Sequence, residues 1–207
     1  MSNSYYKDSL NNYNKLKAVN IRYFDCGISG GMNGARNGAS LMVGGDEDSF
    51  ADIEWLLELI ACKDGYAYVG KPGSGHYLKM VHNGIEYGMM QSIGEGFQIL
   101  KASDYDFDLS IVSSVWNNGS IIESYLMKLV EDIFNEDSTL SNIDGVVDSS
   151  GEGKWTIQEG LELNLPLPVI TSALYARNST KLKENFSAKV VAAMRNEFGG
   201  HKLYNSK

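Results

Sequence analysis

Lys79, His82, Asn83, Glu86 and Tyr87 stand at offsets of zero, three, four, seven and eight within the stretch from Gly73 to Gly88. Those offsets mark one face of a helix at about 3.6 residues per turn. A stripe at that spacing is usually apolar, but this one offers an amine, an imidazole, an amide, a carboxylic acid and a phenol. One reading is a solvated helix face, the ordinary place for charge. Such faces are typically rich in Glu and Lys pairs, whereas this varied set of donors and acceptors suits a polyhydroxylated anion. Leu78, Val81, Ile85 and Met89 form an apolar row beside the stripe, expected to be the flank that the helix buries.

Before the stripe the chain reads as α/β. Ser9 to Ala18 has amphipathic helical spacing, and Asn20 to Gly27 is a β-rich run. A glycine-dense segment from Gly27 to Ala35 follows, where the backbone must turn sharply or let a ligand approach its amides. Ala39 to Gly45 reads as a second strand, Asp46 to Ala61 as a helix with acidic residues in its first turn, and Tyr66 to Val69 as a third strand. The stripe's own helix is predicted from about Ser74 to Ala102. It contains Gly84, Gly88, Gly94 and Gly96, each costing about 1 kcal/mol relative to Ala, so close approach of another helix or a ligand is expected at them. Helices are predicted at 108–116, 120–134, 156–163, 169–178 and 182–198, with a long polar connection over 135–153. From residue 74 onward the pattern is all helical.

The 207 residues, 43% of them hydrophobic, suffice for one globular body or two small domains with a real core. A net charge of −8 argues against a nucleic-acid or anionic-membrane surface, since both would be repelled at long range. Cys26 and Cys62 are too few for a disulfide framework and lack a metal-ligand spacing; reduced core thiols in a cytosolic protein are expected. The three histidines, His76, His82 and His201, also lack a metal spacing, so no metal is expected. The first residues show no apolar leader core, and no window approaches a membrane span. A cytoplasmic location is expected.

Four blocks then carry a family resemblance. Ile28-Ser29-Gly30-Gly31 with Gly34-Ala35, the run from Lys79 to Gly88, Gly151-Glu152-Gly153-Lys154-Trp155-Thr156, and Arg195 to His201 resemble, in order, the decarboxylating 6-phosphogluconate dehydrogenases of short type. The Ser-Gly-Gly element is shared with the wider β-hydroxyacid dehydrogenase group; Lys79-Met80-Val81-His82-Asn83-Gly84-Ile85-Glu86-Tyr87 is far more specific. The resemblance implies a Rossmann-like α/β remnant over 1–72 followed by an all-helical domain over 73–207 that binds substrate and makes a homodimer or higher homo-oligomer. The fold class expected is thus α+β, mostly α. It also implies a place in the pentose phosphate pathway and gluconate use. The reaction oxidises C3 of 6-phosphogluconate with NAD or NADP, loses carbon dioxide and protonates an enediol to ribulose 5-phosphate.

Within that resemblance Lys79 matches the base that takes the C3 hydroxyl proton. It must be neutral for part of the cycle, which burial favours. Glu86 matches the acid that protonates C1. Two turns of helix separate them by roughly 10 Å along the axis. His82 and Asn83 match positions that bind hydroxyls and carboxylate, and Ser29, Gly30 and Gly31 match the loop at the carboxylate end. Tyr87, Arg177 and, from a tail that in the family reaches the partner subunit's site, Arg195 and His201 match the phosphate end, where a guanidinium can bind bidentately. Read without the resemblance, Arg177 is an exposed helix residue. Ser149-Ser150 stand where long members of the family carry a lysine before the turn at Gly151.

The N-terminal stretch departs from the family. A dinucleotide-binding unit should open with a strand, a Gly-x-Gly-x-x-Gly turn and a helix, and the sequence has none. Asn3 to Ser9 resembles the family near the end of that unit, with Asn3 a candidate cofactor contact. On the order of 100 residues of the unit are expected to be absent, leaving an unpaired sheet edge. Tight binding of NAD or NADP by this chain is not expected. Two readings of different class follow: a truncated short-type dehydrogenase, or a non-catalytic sugar-phosphate-binding and dimerisation module. A third, another β-hydroxyacid dehydrogenase, is opposed by His82-Asn83 and the Arg195 to His201 tail.

Overall fold

The computed structural model describes residues 3–204. Its first helix, α1 (Tyr6–Lys17), precedes a three-stranded sheet of β1 (Asp25–Ser29), β2 (Ala39–Gly44) and β3 (Ala61–Gly70) in the order β1-β2-β3. β1 runs antiparallel to β2, with Cys26 opposite Val43 and Ser29 opposite Ser40, and β2 runs parallel to β3, with Val43 opposite Tyr68. A short helix, α2 (Gly31–Asn37), links the first two strands, and α3 (Ala51–Ile60) links the second to the third. Central β2 is the most apolar, as a strand flanked on both sides should be. Leu41 and Val43 are buried there with Cys26, Ala39 and Leu57, and Phe50, Ile53 and Tyr66 close over them.

The molecule then turns into α4 (Ser74–Ala102), a rod of 29 residues. Its N-terminus drives into the sheet. The Asp25 carboxylate accepts from Gly73 N at 2.6 Å and His76 N at 2.8 Å, satisfying two otherwise orphaned amides where the helix dipole favours negative charge. Gly75 permits this approach, since a Cβ there would lie 2.3 Å from Met42 O and 2.6 Å from Asp25 O. The far end of α4 packs on α5 (Leu109–Trp116) and α6 (Tyr125–Glu136) through Phe97, Leu109, Met127 and Phe134. Its middle is crossed by α7 (Gly151–Glu162) and α8 (Pro168–Thr180). Asp108 and Ser124 cap α5 and α6 by accepting from Ser110 N and Met127 N. The last helix, α9 (Phe186–Gly199), has no buried residue.

The α/β-then-helical architecture and the bounds of α4 match the sequence expectation. The buried flank of α4 does not. Leu78, Ile85 and Met89 are exposed and Val81 is half-buried, while His76, Lys79, Met80, Gly84, Tyr87 and Gly88 are buried. Glycine is the reason. At Gly84 an added Cβ would meet Thr156 Cγ2 at 2.7 Å, and at Gly88 it would meet Val169 at 3.2 Å, so α7 and α8 settle on that face. The Thr156 hydroxyl donates to Met80 O at 2.7 Å across the crossing. Gly94 and Gly96, by contrast, have no neighbour within 4 Å of a built Cβ, against the expectation of close approach. The glycine-dense segment also holds α2 where a loop was expected, and β1 starts at Asp25 rather than Asn20. β3 starts at Ala61 rather than Tyr66, α6 at Tyr125, α7 at Gly151 and α9 at Phe186. Cys26 is buried, with desolvation pushing its thiol up to about 11, but Cys62 is exposed rather than in the core.

Candidate active site

One turn past its cap, α4 carries Lys79 against β1. Gly27 is the contact: a side chain there would put its Cβ 2.5 Å from Lys79 Cβ. The glycine lets the lysine stem lie on the strand and leaves the residue only 5% exposed. Burial holds the Lys79 pKa below the ordinary lysine value, against the opposite pull of Glu86 and of Glu152 on α7.

One turn further, His82 gathers the polar groups. Its Nε2 lies 3.2 Å from Ser29 Oγ at the end of β1. Its Nδ1 lies 3.2 Å from Lys79 Nζ, 3.0 Å from Asn83 Oδ1 and 3.8 Å from Glu86 Oε2. Four of the five stripe residues, Lys79, His82, Asn83 and Glu86, therefore form one connected cluster. It opens on a groove of about 1350 Å³. Lys79, His82, Asn83 and Glu86 form one wall, Ser29, Gly30 and Gly31 the facing turn, and Tyr125, Leu126 and Leu129 of α6 a third side. Gly30 and Gly31 have φ of 131° and 56°, so their backbone turns into α2 in a conformation that L side chains rarely adopt. The exposed Leu78, Ile85 and Met89 lie along the same groove.

Tyr87 points the other way, under α7. It is 3% exposed; its hydroxyl accepts from Ser150 N at 2.8 Å and lies 3.0 Å from Ser150 Oγ. Arg177 of α8 stacks on the ring, with its guanidinium carbon 3.4 Å from the centroid, and donates to Asp148 O at 3.3 Å. Tyr87, Ser150 and Arg177 thus form a second polar group beside the groove. Arg195 and His201 sit on and just beyond α9, exposed; the structure does not bring them to the stripe of their own chain. Asn3 lines the groove, with its side-chain amide occupied: Oδ1 accepts from Ile28 N at 2.8 Å and Nδ2 donates to Ile28 O at 3.0 Å.

Asp25, Ser150, Tyr125 and Leu126 were not named as site residues from the sequence. A carboxylate inside a β-rich run was the available signal for Asp25. Ser150 was visible only as a departure from a family lysine, and the α6 residues gave no signal. Among the described residues no group of three or more His, Cys, Asp or Glu could hold a metal ion. No helix there is long and apolar enough to cross a membrane.

Comparison with known proteins finds two family models along the chain. The family model for the NAD binding domain of 6-phosphogluconate dehydrogenase matches residues 1–70. That for the C-terminal domain of 6-phosphogluconate dehydrogenase matches residues 75–197. YqeC of Bacillus subtilis (strain 168) is 52% identical over 199 residues, covering 96% of this chain and 67% of YqeC. The NAD(+)-dependent, decarboxylating 6-phosphogluconate dehydrogenase of Haloferax volcanii is 40% identical over 203 residues, covering 97% of this chain and 67% of that protein. Among solved structures, Plasmodium falciparum 6-phosphogluconate dehydrogenase, studied with its cofactor NADP+ and its substrate 6-phosphogluconate, superposes with a TM-score of 0.78 at 33% identity. That match covers 99% of this chain and 45% of the Plasmodium chain. The chain therefore spans about two thirds of the length of the two relatives and less than half of the third.

Proposed function

The chain belongs to the 6-phosphogluconate dehydrogenase family, and we propose that its groove binds 6-phosphogluconate and performs the proton steps of its oxidative decarboxylation to ribulose 5-phosphate. The observation that carries this reading is the linked set Lys79–His82–Asn83–Glu86 facing the Ser29-Gly30-Gly31 turn across one groove. The sugar acid's carbon skeleton lies along α4. Its carboxylate and hydroxyls take hydrogen bonds from Ser29, His82, Asn83 and the glycine amides. Lys79, whose pKa burial lowers, removes the C3 hydroxyl proton when C3 is oxidised. The 3-keto acid then releases carbon dioxide, because the new carbonyl accepts the electron pair of the breaking carbon–carbon bond. Glu86, protonated at that moment, delivers a proton to C1 of the resulting enediolate, which gives the ketone. Substrate phosphate is met by Arg177 beside Tyr87 and by Arg195 and His201 from the tail of a second copy in a homodimer.

Residues 1–72 serve as part of a nucleotide-binding unit and residues 73–207 as the substrate-binding and dimerisation unit, working in the cytoplasm. A nicotinamide dinucleotide, NAD or NADP, would supply the hydride acceptor. The residues present do not fit its pyrophosphate: the sequence contains no Gly-x-Gly-x-x-Gly turn, and the Asn3 amide is spent on Ile28. That mismatch favours a second reading for this polypeptide alone, a sugar-phosphate-binding and dimerisation module without turnover.

Calorimetric titration separates the readings. We expect 6-phosphogluconate to bind a folded dimer and to bind at least tenfold more weakly after Asn83→Ala, as loss of a hydrogen bond to an anion predicts. A folded dimer that ignores 6-phosphogluconate overturns the substrate assignment, and tight dinucleotide binding with turnover overturns the module reading.

A further inference from the structure

The reaction proposed above needs Lys79 without its proton and Glu86 with one, the reverse of how an amine and a carboxylic acid rest near neutral pH. Lys79 is 5% exposed, which limits the access of water to its amine. Among the described residues no ion pair joins Lys79 to Glu86. His82 Nδ1 lies within 4 Å of both, at 3.2 Å from Lys79 Nζ and 3.8 Å from Glu86 Oε2. The other ring nitrogen is held by Ser29 Oγ at 3.2 Å, which keeps the ring facing the pair. The side chains of His82 and Glu86 are each 37% exposed, so the path runs from a buried amine toward a carboxylate at the groove surface.

We propose that His82 is a proton conduit that sets both partners for the reaction. With Nε2–H donated to Ser29 Oγ, bare Nδ1 accepts a proton from the Lys79 ammonium; the N–H bond at Nζ breaks and one at Nδ1 forms, giving neutral Lys79 and an imidazolium. When the Glu86 side chain closes the 3.8 Å gap to hydrogen-bond distance, the imidazolium passes that Nδ1 proton to Oε2, which becomes the acid, and the ring returns to its starting tautomer. No proton is gained or lost, and Lys79 and Glu86 exchange roles. Asn83 Oδ1, at 3.0 Å from Nδ1, accepts the Nδ1 hydrogen while the ring is charged. Of the other charges near the cluster, Glu152 on α7 acts on Lys79 by stabilising its ammonium. Asp25 of β1 is committed to the α4 cap. After Glu86 has delivered its proton to C1, the same path carries the C3 proton held by Lys79 to Glu86 and restores the acid. A direct contact between Lys79 and Glu86 would not need an imidazole; the observed spacing does.

This inference rests on the substrate reading, and its test is built to fail separately. Exchange of the C1 hydrogen of ribulose 5-phosphate with deuterium oxide, followed by proton NMR on the full chain, reads the acid–base step without net oxidation. Binding of ribulose 5-phosphate is measured alongside by calorimetry. We expect His82→Ala to slow exchange by roughly a hundredfold, the scale of general acid–base catalysis, while added imidazole restores it in proportion to its concentration. Substituted imidazoles should restore it according to their basicity. His82→Gln, which fills the space without a titrating group, should be slow and not rescued. The conduit is overturned if the unsubstituted chain binds ribulose 5-phosphate without exchange, or if a folded His82→Ala chain exchanges at the original rate. It is also overturned if the rate is lost and imidazole does not restore it. Failure of the unsubstituted chain to bind ribulose 5-phosphate or 6-phosphogluconate overturns the substrate reading itself.

Discussion

Lys79 lies on Gly27 because no side chain stands between them, and that contact takes the amine out of water at a cost in stability. In the unfolded chain a lysine titrates at 10.5, and in the fold Lys79 titrates lower. Between the two values the unfolded chain holds more protons, so Lys79 makes the fold more stable as pH rises through that window, and its penalty is present in full below the folded value. Lys79→Met should therefore raise thermal stability at pH 7, by on the order of 1 kcal/mol or ~2–4 °C, while abolishing C1 exchange. The margin should shrink as pH approaches 10.5. Melting curves at several pH values check this; a Met variant no more stable than the parent at pH 7 would show that the lysine is well solvated. Tyr87 and Ser150 make a different kind of pair. The phenol accepts from the N-cap amide of α7, so the two residues brace that helix.

At the scale of the element, the glycines of α4 divide into two kinds. Gly84→Ala would press on the β-branched Thr156 and push α7 outward, since the new Cβ would sit 2.7 Å from Thr156 Cγ2; overpacking of this sort costs about 1–3 kcal/mol. Gly94→Ala meets nothing within 4 Å and should gain about 1 kcal/mol of helix propensity. Urea denaturation should move the two midpoints in opposite directions, and a shared direction would contradict the packing described. The length of α4 was legible because polar and apolar residues keep helical period throughout. Which row faces inward was not, because period alone does not say where partners 70 to 80 residues away will cross, and the glycines that admit α7 and α8 look like gaps in a sequence. The stripe itself was legible, being local. Asp25 and Ser150 were not, because each acts on groups far along the chain: the α4 amides 48 and 51 residues on for Asp25, and the Tyr87 phenol 63 residues back for Ser150.

Over the whole molecule, burial is uneven. The sheet lobe and the α4–α5–α6 end each have a core, whereas α9 buries nothing and presents Val190, Val191, Met194 and Phe198 to solvent. Removing residues 182–207 should therefore leave the melting transition within about 1 kcal/mol of the parent, yet weaken 6-phosphogluconate binding by roughly ten- to a hundredfold, the worth of charged hydrogen bonds from Arg195 and His201. A collapsed transition would mean that α9 supports the fold, and unchanged affinity would remove the tail from the site. α4, by contrast, belongs to every part, running from the Asp25 cap through the α7 and α8 crossings to the Phe97 cluster. On the proposed reading the base and the acid both stand on this one uninterrupted rod, so the distance between them is counted in residues. The seven-residue gauge from Lys79 to Glu86 keeps its length whatever surrounds it. Variation in the surroundings then alters which molecules enter and how long they stay, and the spacing of the two proton carriers passes through such variation as a constant of the helix.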